Sequence, residues 1–272
     1  MASLLQGAST GIGRAIAHRF ARRGYELTLV ARTTKDLAAT VGAVCMQEEH
    51  KQRVQRPTAH AADVTCPEAV ASLVNAHITR CDGLDVLVVC AGAGHHGLCT
   101  DNDLEVQRAL MEVNYFGALH CIQAALPALL SRDDKSPLVV GRILAIGSVS
   151  GEMGLPLRSA YCASKHALSG YLESLDREMA MRGMPLTVTL VAPTSVNTGF
   201  HKQGRHGAAP KMTADECADK CMQAFDSERS GTTFIPSYMK YLTILPRAIA
   251  DSFIARHEQS LLDGVLAHTS RL

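Results

Sequence analysis

Residues 2–31 read ASLLQGASTGIGRAIAHRFARRGYELTLVA. An apolar run at 2–6 stops at a glycine, a helical pattern runs from 11 to 23, and a second apolar run fills 26–31. This is strand, turn, helix, strand. Gly7, Gly11 and Gly13 punctuate the turn with the spacing G-x-x-x-G-x-G. Glycines let a backbone come close to a bulky anion. The helix starting directly behind them offers unpaired N–H groups and the positive end of its dipole. Gly7, Ser9, Thr10, Gly11, Ile12 and Gly13 therefore read as a cradle for the pyrophosphate of a dinucleotide.

The same alternation continues along the chain. Further strands are expected at 57–62, 84–89, 141–147 and 186–192, with helices near 34–50, 67–80, 103–130 and 159–182. Strict alternation argues for a parallel sheet covered on both faces, and right-handed crossovers make it doubly wound. The expected fold is α/β: one Rossmann-like domain over 1–272, with a small C-terminal helical extension. After Phe200 the chain turns polar, and a helix near 213–226 and a short strand near 232–235 follow. A substrate-covering segment is expected at about 199–226 and an apolar C-terminal helix at about 238–257.

Composition excludes several classes. The 272 residues are 47% hydrophobic and 19% charged, enough for one large core, and the formal net charge of +1 gives no footprint for nucleic acid. No apolar run reaches the roughly 18 residues of a membrane span, so no transmembrane segment is expected. The nine cysteines form no C-x-x-C pair and read as buried, reduced thiols of an intracellular protein. The twelve histidines are scattered, and no metal site is expected.

The end of the second strand reads the adenosine ribose. An acid there suits a 2′-hydroxyl. This chain has Ala31 and then Arg32 instead, and a guanidinium suits a 2′-phosphate through paired hydrogen bonds, which favours NADP(H). Arg32 is otherwise an ordinary solvated arginine at a strand end. Asp63 and Val64, after the third strand, are placed to meet the adenine.

The second informative stretch is GSVSGEMGLPLRSAYCASKHAL, residues 147–168. Tyr161 and Lys165 are one helical turn apart and share a face. A free tyrosine has a pKa of about 10 and gives up its proton poorly at neutral pH. An ammonium nearby is expected to lower that value. Ser148 can hydrogen-bond a substrate oxygen on which charge develops. A carbonyl held by Ser148 and Tyr161 then accepts a hydride from nicotinamide and a proton from Tyr161.

GASTGIG, the Cys90-Ala91-Gly92 turn, VNYFG around Asn114, Ser148 thirteen positions before Tyr161, YCASK and APTSVNT at 192–198 occur in an order that resembles the short-chain dehydrogenase/reductases over the whole chain. The resemblance implies a tetrad. Tyr161 is the acid/base, Lys165 lowers its pKa and holds the nicotinamide ribose, Ser148 orients the carbonyl, and Asn114 holds a water in a relay to Lys165. It implies further that Cys90, Ala91 and Gly92 border the cofactor and that Pro193, Val196 and Thr198 lie along the nicotinamide. Three positions depart from the family pattern. Gln6 stands where Thr is common, Cys90 replaces an Asn that steadies the central strand, and Thr194 replaces a Gly.

Within that family the chain is similar to the branch acting on lipid-like ketones. That branch includes hydroxysteroid dehydrogenases, 3-ketosphinganine reductase and acyl/alkyl-dihydroxyacetone-phosphate reductase. The apolar positions Leu242, Ile244, Leu245, Ile249, Phe253 and Ile254 suit an acyl channel, a membrane surface, a core-closing helix or a subunit contact. His201, Lys202, Arg205, His206 and Lys211 suit a basic flap over an anionic substrate group, or a solvated loop. Ser270-Arg271-Leu272 is similar to the Ser-Lys-Leu peroxisomal address, with the cytoplasm as the alternative. Helix 115–130 and part of 167–181 are apolar on more than one face, and family members pair these helices, so a homodimer or homotetramer is expected. A nucleotide-binding scaffold without turnover is the competing class.

Overall fold

In the computed structural model the described residues are 1–46, 56–131, 140–200 and 212–244. The central apolar runs, residues 2–6, 26–31, 86–89, 141–146 and 186–193, become strands because each buries side chains on both faces, as a sheet between two helical layers permits, while the two edge strands are more exposed. They are β1 (Ala2–Gln6), β2 (Glu26–Ala31), β3 (Thr58–Ala61), β4 (Val86–Val89), β5 (Gly141–Ile146), β6 (Leu186–Pro193) and, after two short strands, β9 (Gly231–Ile235). Their order is β3-β2-β1-β4-β5-β6-β9, all parallel. Leu4 of β1 lies between Thr28 of β2 and Leu87 of β4. The order reverses at β1, so crossovers leave to opposite sides and a crevice opens beyond the strand ends there.

Helices α1 (Gly11–Arg22) and α2 (Thr34–Cys45) cover one face. The other carries α3 (Pro67–Cys81), α4 (Leu104–Met111), α5 (Gly117–Leu130) and α6 (Ser159–Met181). Successive strand residues feed opposite cores: Leu5 packs with Ile16, Phe20 and Leu37, and Leu4 with Val70, Ile122 and Leu168. Full burial of such a side chain contributes about 2 kcal/mol. The doubly wound α/β expectation holds.

Several boundaries differ from the sequence reading. The single helix expected over 103–130 is α4 and α5 joined by a π-helical turn, Glu112–Phe116. This helical stretch, Leu104–Leu130, is also long and apolar enough by composition to cross a membrane, with a mean hydropathy of 1.3. Here Cys121, Ile122, Ala125 and Leu129 are spent on the core. The helix α7 (Ala214–Asp226), expected to cover the substrate, instead packs beside α1. Its Cys217, Cys221 and Phe225 are fully buried. Arg19 pairs with Asp215 and Asp219, and Arg23 with Asp226. A small parallel pair, β7 (Val196–Asn197) with β8 (Met212–Thr213), was not expected at all. Two residues carry too little period-2 pattern to announce a strand. Of the apolar tail, only α8 (Met239–Ile244) falls among the described residues. The basic cluster 201–211, residues 245–257 and the terminal tripeptide lie outside them.

Candidate active site

The crevice at the β1/β4 reversal is a cleft of about 610 Å³. Eighteen of the nineteen cofactor-side and catalytic residues named from sequence line it: Gly7, Ser9, Thr10, Gly11, Ile12, Gly13, Arg32, Asp63, Val64, Cys90, Ala91, Gly92, Ser148, Tyr161, Lys165, Pro193, Val196 and Thr198 form the wall, with Asn114 set behind it.

The cradle is tight. Gly7 has φ +79°, and a Cβ there would lie 2.5 Å from the Ala91 nitrogen. One on Gly13 would lie 2.1 Å from the Gly7 carbonyl oxygen. The turn is therefore bare backbone in front of the α1 N-terminus, whose cap Thr10 makes no side-chain cap bond. These features fit the pyrophosphate of a nicotinamide dinucleotide. At the far end Arg32 is exposed and faces Asp63. The Thr65 backbone N–H, the Thr65 hydroxyl and the Arg32 charge hold the Asp63 carboxyl below its usual range.

At the other end β5 delivers Ser148 and α6 delivers Tyr161 and Lys165. The Ser148 Oγ accepts from the Ser150 N–H at 3.1 Å, which fixes the turn, and the Ser148 side chain hydrogen-bonds the Tyr161 side chain. Burial pushes the Tyr161 hydroxyl up to about 12, against the opposing pull of Ser148 and the Arg158 charge. Burial pulls Lys165 down to about 8, and its Nζ donates to the Ile146 carbonyl oxygen at 3.1 Å. The expected lowering of Tyr161 by Lys165 is thus not seen in this arrangement: desolvation dominates both groups, and the ammonium is turned to the backbone.

Asn114 is an anchor of the site. Its side chain clamps the strand-4 loop, accepting from the Ala93 N–H at 2.7 Å and donating to the Ala93 carbonyl at 2.9 Å. It donates as well to the Ser164 Oγ at 2.9 Å, and Ser164 donates to the Tyr161 carbonyl at 2.8 Å. The π-helical turn sets Asn114 at this depth. Its side-chain bonds thus tie the loop after β4 to the catalytic helix.

Sequence reasoning missed Ser164, although it lies inside the quoted YCASK, because a helical serine carries no signal of its partner. It also missed Gly94, Thr33, Asp36 and Phe200, all in the cleft wall. Gln6 proves informative: its Oε1 accepts from the Ala91 N–H at 2.6 Å, tying β1 to the end of β4 beside Cys90. Thr194 is not among the residues of positive φ, so its replacement of a glycine brings no backbone strain.

Comparison with known proteins agrees with this geometry. The short chain dehydrogenase family model matches residues 2–209. The rat protein named dehydrogenase/reductase SDR family member 7B is 30% identical over 260 residues, covering 90% of this chain and 77% of the relative. An uncharacterized oxidoreductase of Staphylococcus saprophyticus is 30% identical over 222 residues, covering 82% and 89%. Among solved structures, a Burkholderia phymatum short chain dehydrogenase/reductase in complex with NAD superposes with a TM-score of 0.79 at 20% identity, covering 91% of this chain and 92% of that one. An alcohol dehydrogenase from Thermococcus sibiricus complexed with 5-hydroxy-NADP gives 0.72 at 24%, covering 86% and 94%.

Proposed function

This chain belongs to the short-chain dehydrogenase family and is an oxidoreductase, and from that premise we propose that it is an NADP(H)-dependent reductase of ketones on lipid-like carbon skeletons. The observation that carries the reading is the meeting of the Ser148 and Tyr161 hydroxyls in the same cleft as the glycine cradle.

A bound nicotinamide supplies the hydride. The chain supplies the rest. The substrate carbonyl oxygen sits between the hydroxyls of Ser148 and Tyr161. Ser148 donates a hydrogen bond that stabilises developing negative charge. Tyr161, protonated at neutral pH because its pKa is raised to about 12, gives its proton to that oxygen. Lys165 keeps a positive charge behind the site below its pKa of about 8. Asn114 and Ser164 hold the loop and helix that aim these groups.

Arg32 at the end of β2 supports the NADP(H) choice. The lipid-like skeleton rests on sequence: the apolar tail, the basic cluster 201–211 and the terminal Ser270-Arg271-Leu272. The sharper form is acyl- or alkyl-dihydroxyacetone-phosphate reduction in peroxisomes by a homodimer or homotetramer. Purified protein, assayed for NADPH and NADH oxidation with the phosphate ester, a steroid ketone and a sphingoid ketone, tests it. The reading predicts NADPH preference that falls at least tenfold (about 1.4 kcal/mol) in Arg32→Ala. Turnover of a steroid or sphingoid ketone without the phosphate ester overturns the sharper form. NADH preference overturns the reading of Arg32.

A further inference from the structure

The cleft carries an aromatic ring beside the hydroxyls that meet the carbonyl. The Phe200 ring centroid lies 6.0 Å from that of Tyr161, with the planes at 62°. On its other side the ring meets bare backbone. A Cβ on Gly94 would lie 2.7 Å from the Phe200 Cε1, and one on Gly92 would lie 3.6 Å from Cε2. Gly94 is therefore a seat that any side chain would fill. The Phe200 N–H donates to the Thr198 Oγ1 at 3.3 Å, and Thr198 itself touches the glycine turn at Gly11. The ring is not a sealed core residue: Phe200 is 36% exposed and lines the cleft.

We propose that Phe200, seated on Gly92 and Gly94 and edged against Tyr161, is a specificity-determining wall that limits the width of the groups flanking the substrate carbonyl. The inference rests on the ketone-reductase reading. It requires the ring and Gly94 to act as a matched pair. Narrowing or widening a pocket by a methylene-sized volume changes discrimination by about 10–200-fold.

The test is a double-mutant cycle of Gly94→Ala and Phe200→Ala, read with two isomeric ketones, one straight and one branched beside the carbonyl. Phe200→Ala raises the branched-to-straight ratio of kcat/KM by about tenfold or more, and Phe200→Leu moves it in the same direction. Gly94→Ala displaces the ring and shifts the ratio alone, but adds nothing to Phe200→Ala. Melting temperatures carry the same coupling: Gly94→Ala lowers the wild-type value and leaves that of Phe200→Ala unchanged. A ratio unmoved by Phe200→Ala, or effects that simply add, overturns the inference while the reductase reading stands. A wild-type chain inert to both ketones overturns the reductase reading and the inference with it.

Discussion

The Nζ of Lys165 donates to the carbonyl oxygen of Ile146 at 3.1 Å, so the catalytic helix and the last residue of β5 are joined by a buried charge. Burial has already drawn this lysine down to about 8. Its proton therefore leaves as pH rises through about 8, well before an ordinary lysine would lose it. Reductase activity should be flat below that point and fall above it. Lys165→Met should lower kcat/KM at neutral pH by about 10²-fold or more and remove the pH step, which a pH–rate profile of both proteins would read. A profile unchanged in the variant contradicts the assignment.

The glycine cradle gives a steric prediction. In Gly13→Ala the new methyl would stand 2.1 Å from the Gly7 carbonyl oxygen, so the turn must deform. NADPH affinity should fall at least tenfold (about 1.4 kcal/mol), measured by nicotinamide fluorescence. Affinity equal to wild type would mean that the cofactor does not use this turn.

His77 on α3 makes a prediction about stability. It is 1% exposed, its Nδ1 meets the Thr28 hydroxyl at 2.7 Å, and burial together with the charges of Arg80 and His60 lowers it to about 4. The unfolded chain takes up this proton near pH 6.5, and the folded chain refuses it until about 4. The contribution is thus fully present above 6.5 and is lost as pH falls between those values, by up to about 3 kcal/mol. Denaturant titrations should show a shallower decline between pH 6.5 and 4 in His77→Gln than in wild type. Parallel declines would contradict the claim.

How far the sequence could carry depended on whether a feature was local. The cradle was legible because glycine spacing, strand and helix all lie within residues 2–31. Tyr161 and Lys165 were legible because helical periodicity alone puts them on one face. The relations across the fold were not. Gln6 reaches the Ala91 N–H across 85 positions and Asn114 reaches Ser164 across 50, and no local pattern announces such partners. The π-helical turn at Glu112–Phe116 escaped notice because its residues continue a helical pattern on both sides. The balance of pKa shifts was misjudged for a related reason: spacing shows that Tyr161 and Lys165 are neighbours, but only the packed site shows that desolvation governs both.

The most direct measurement is NADPH oxidation with a lipid-like ketone by wild type and Tyr161→Phe, alongside NADPH binding by nicotinamide fluorescence. Tyr161 is predicted to be the proton donor, so turnover should fall by about 10²–10⁴-fold in the variant while binding survives. Turnover equal to wild type would contradict the account at its centre.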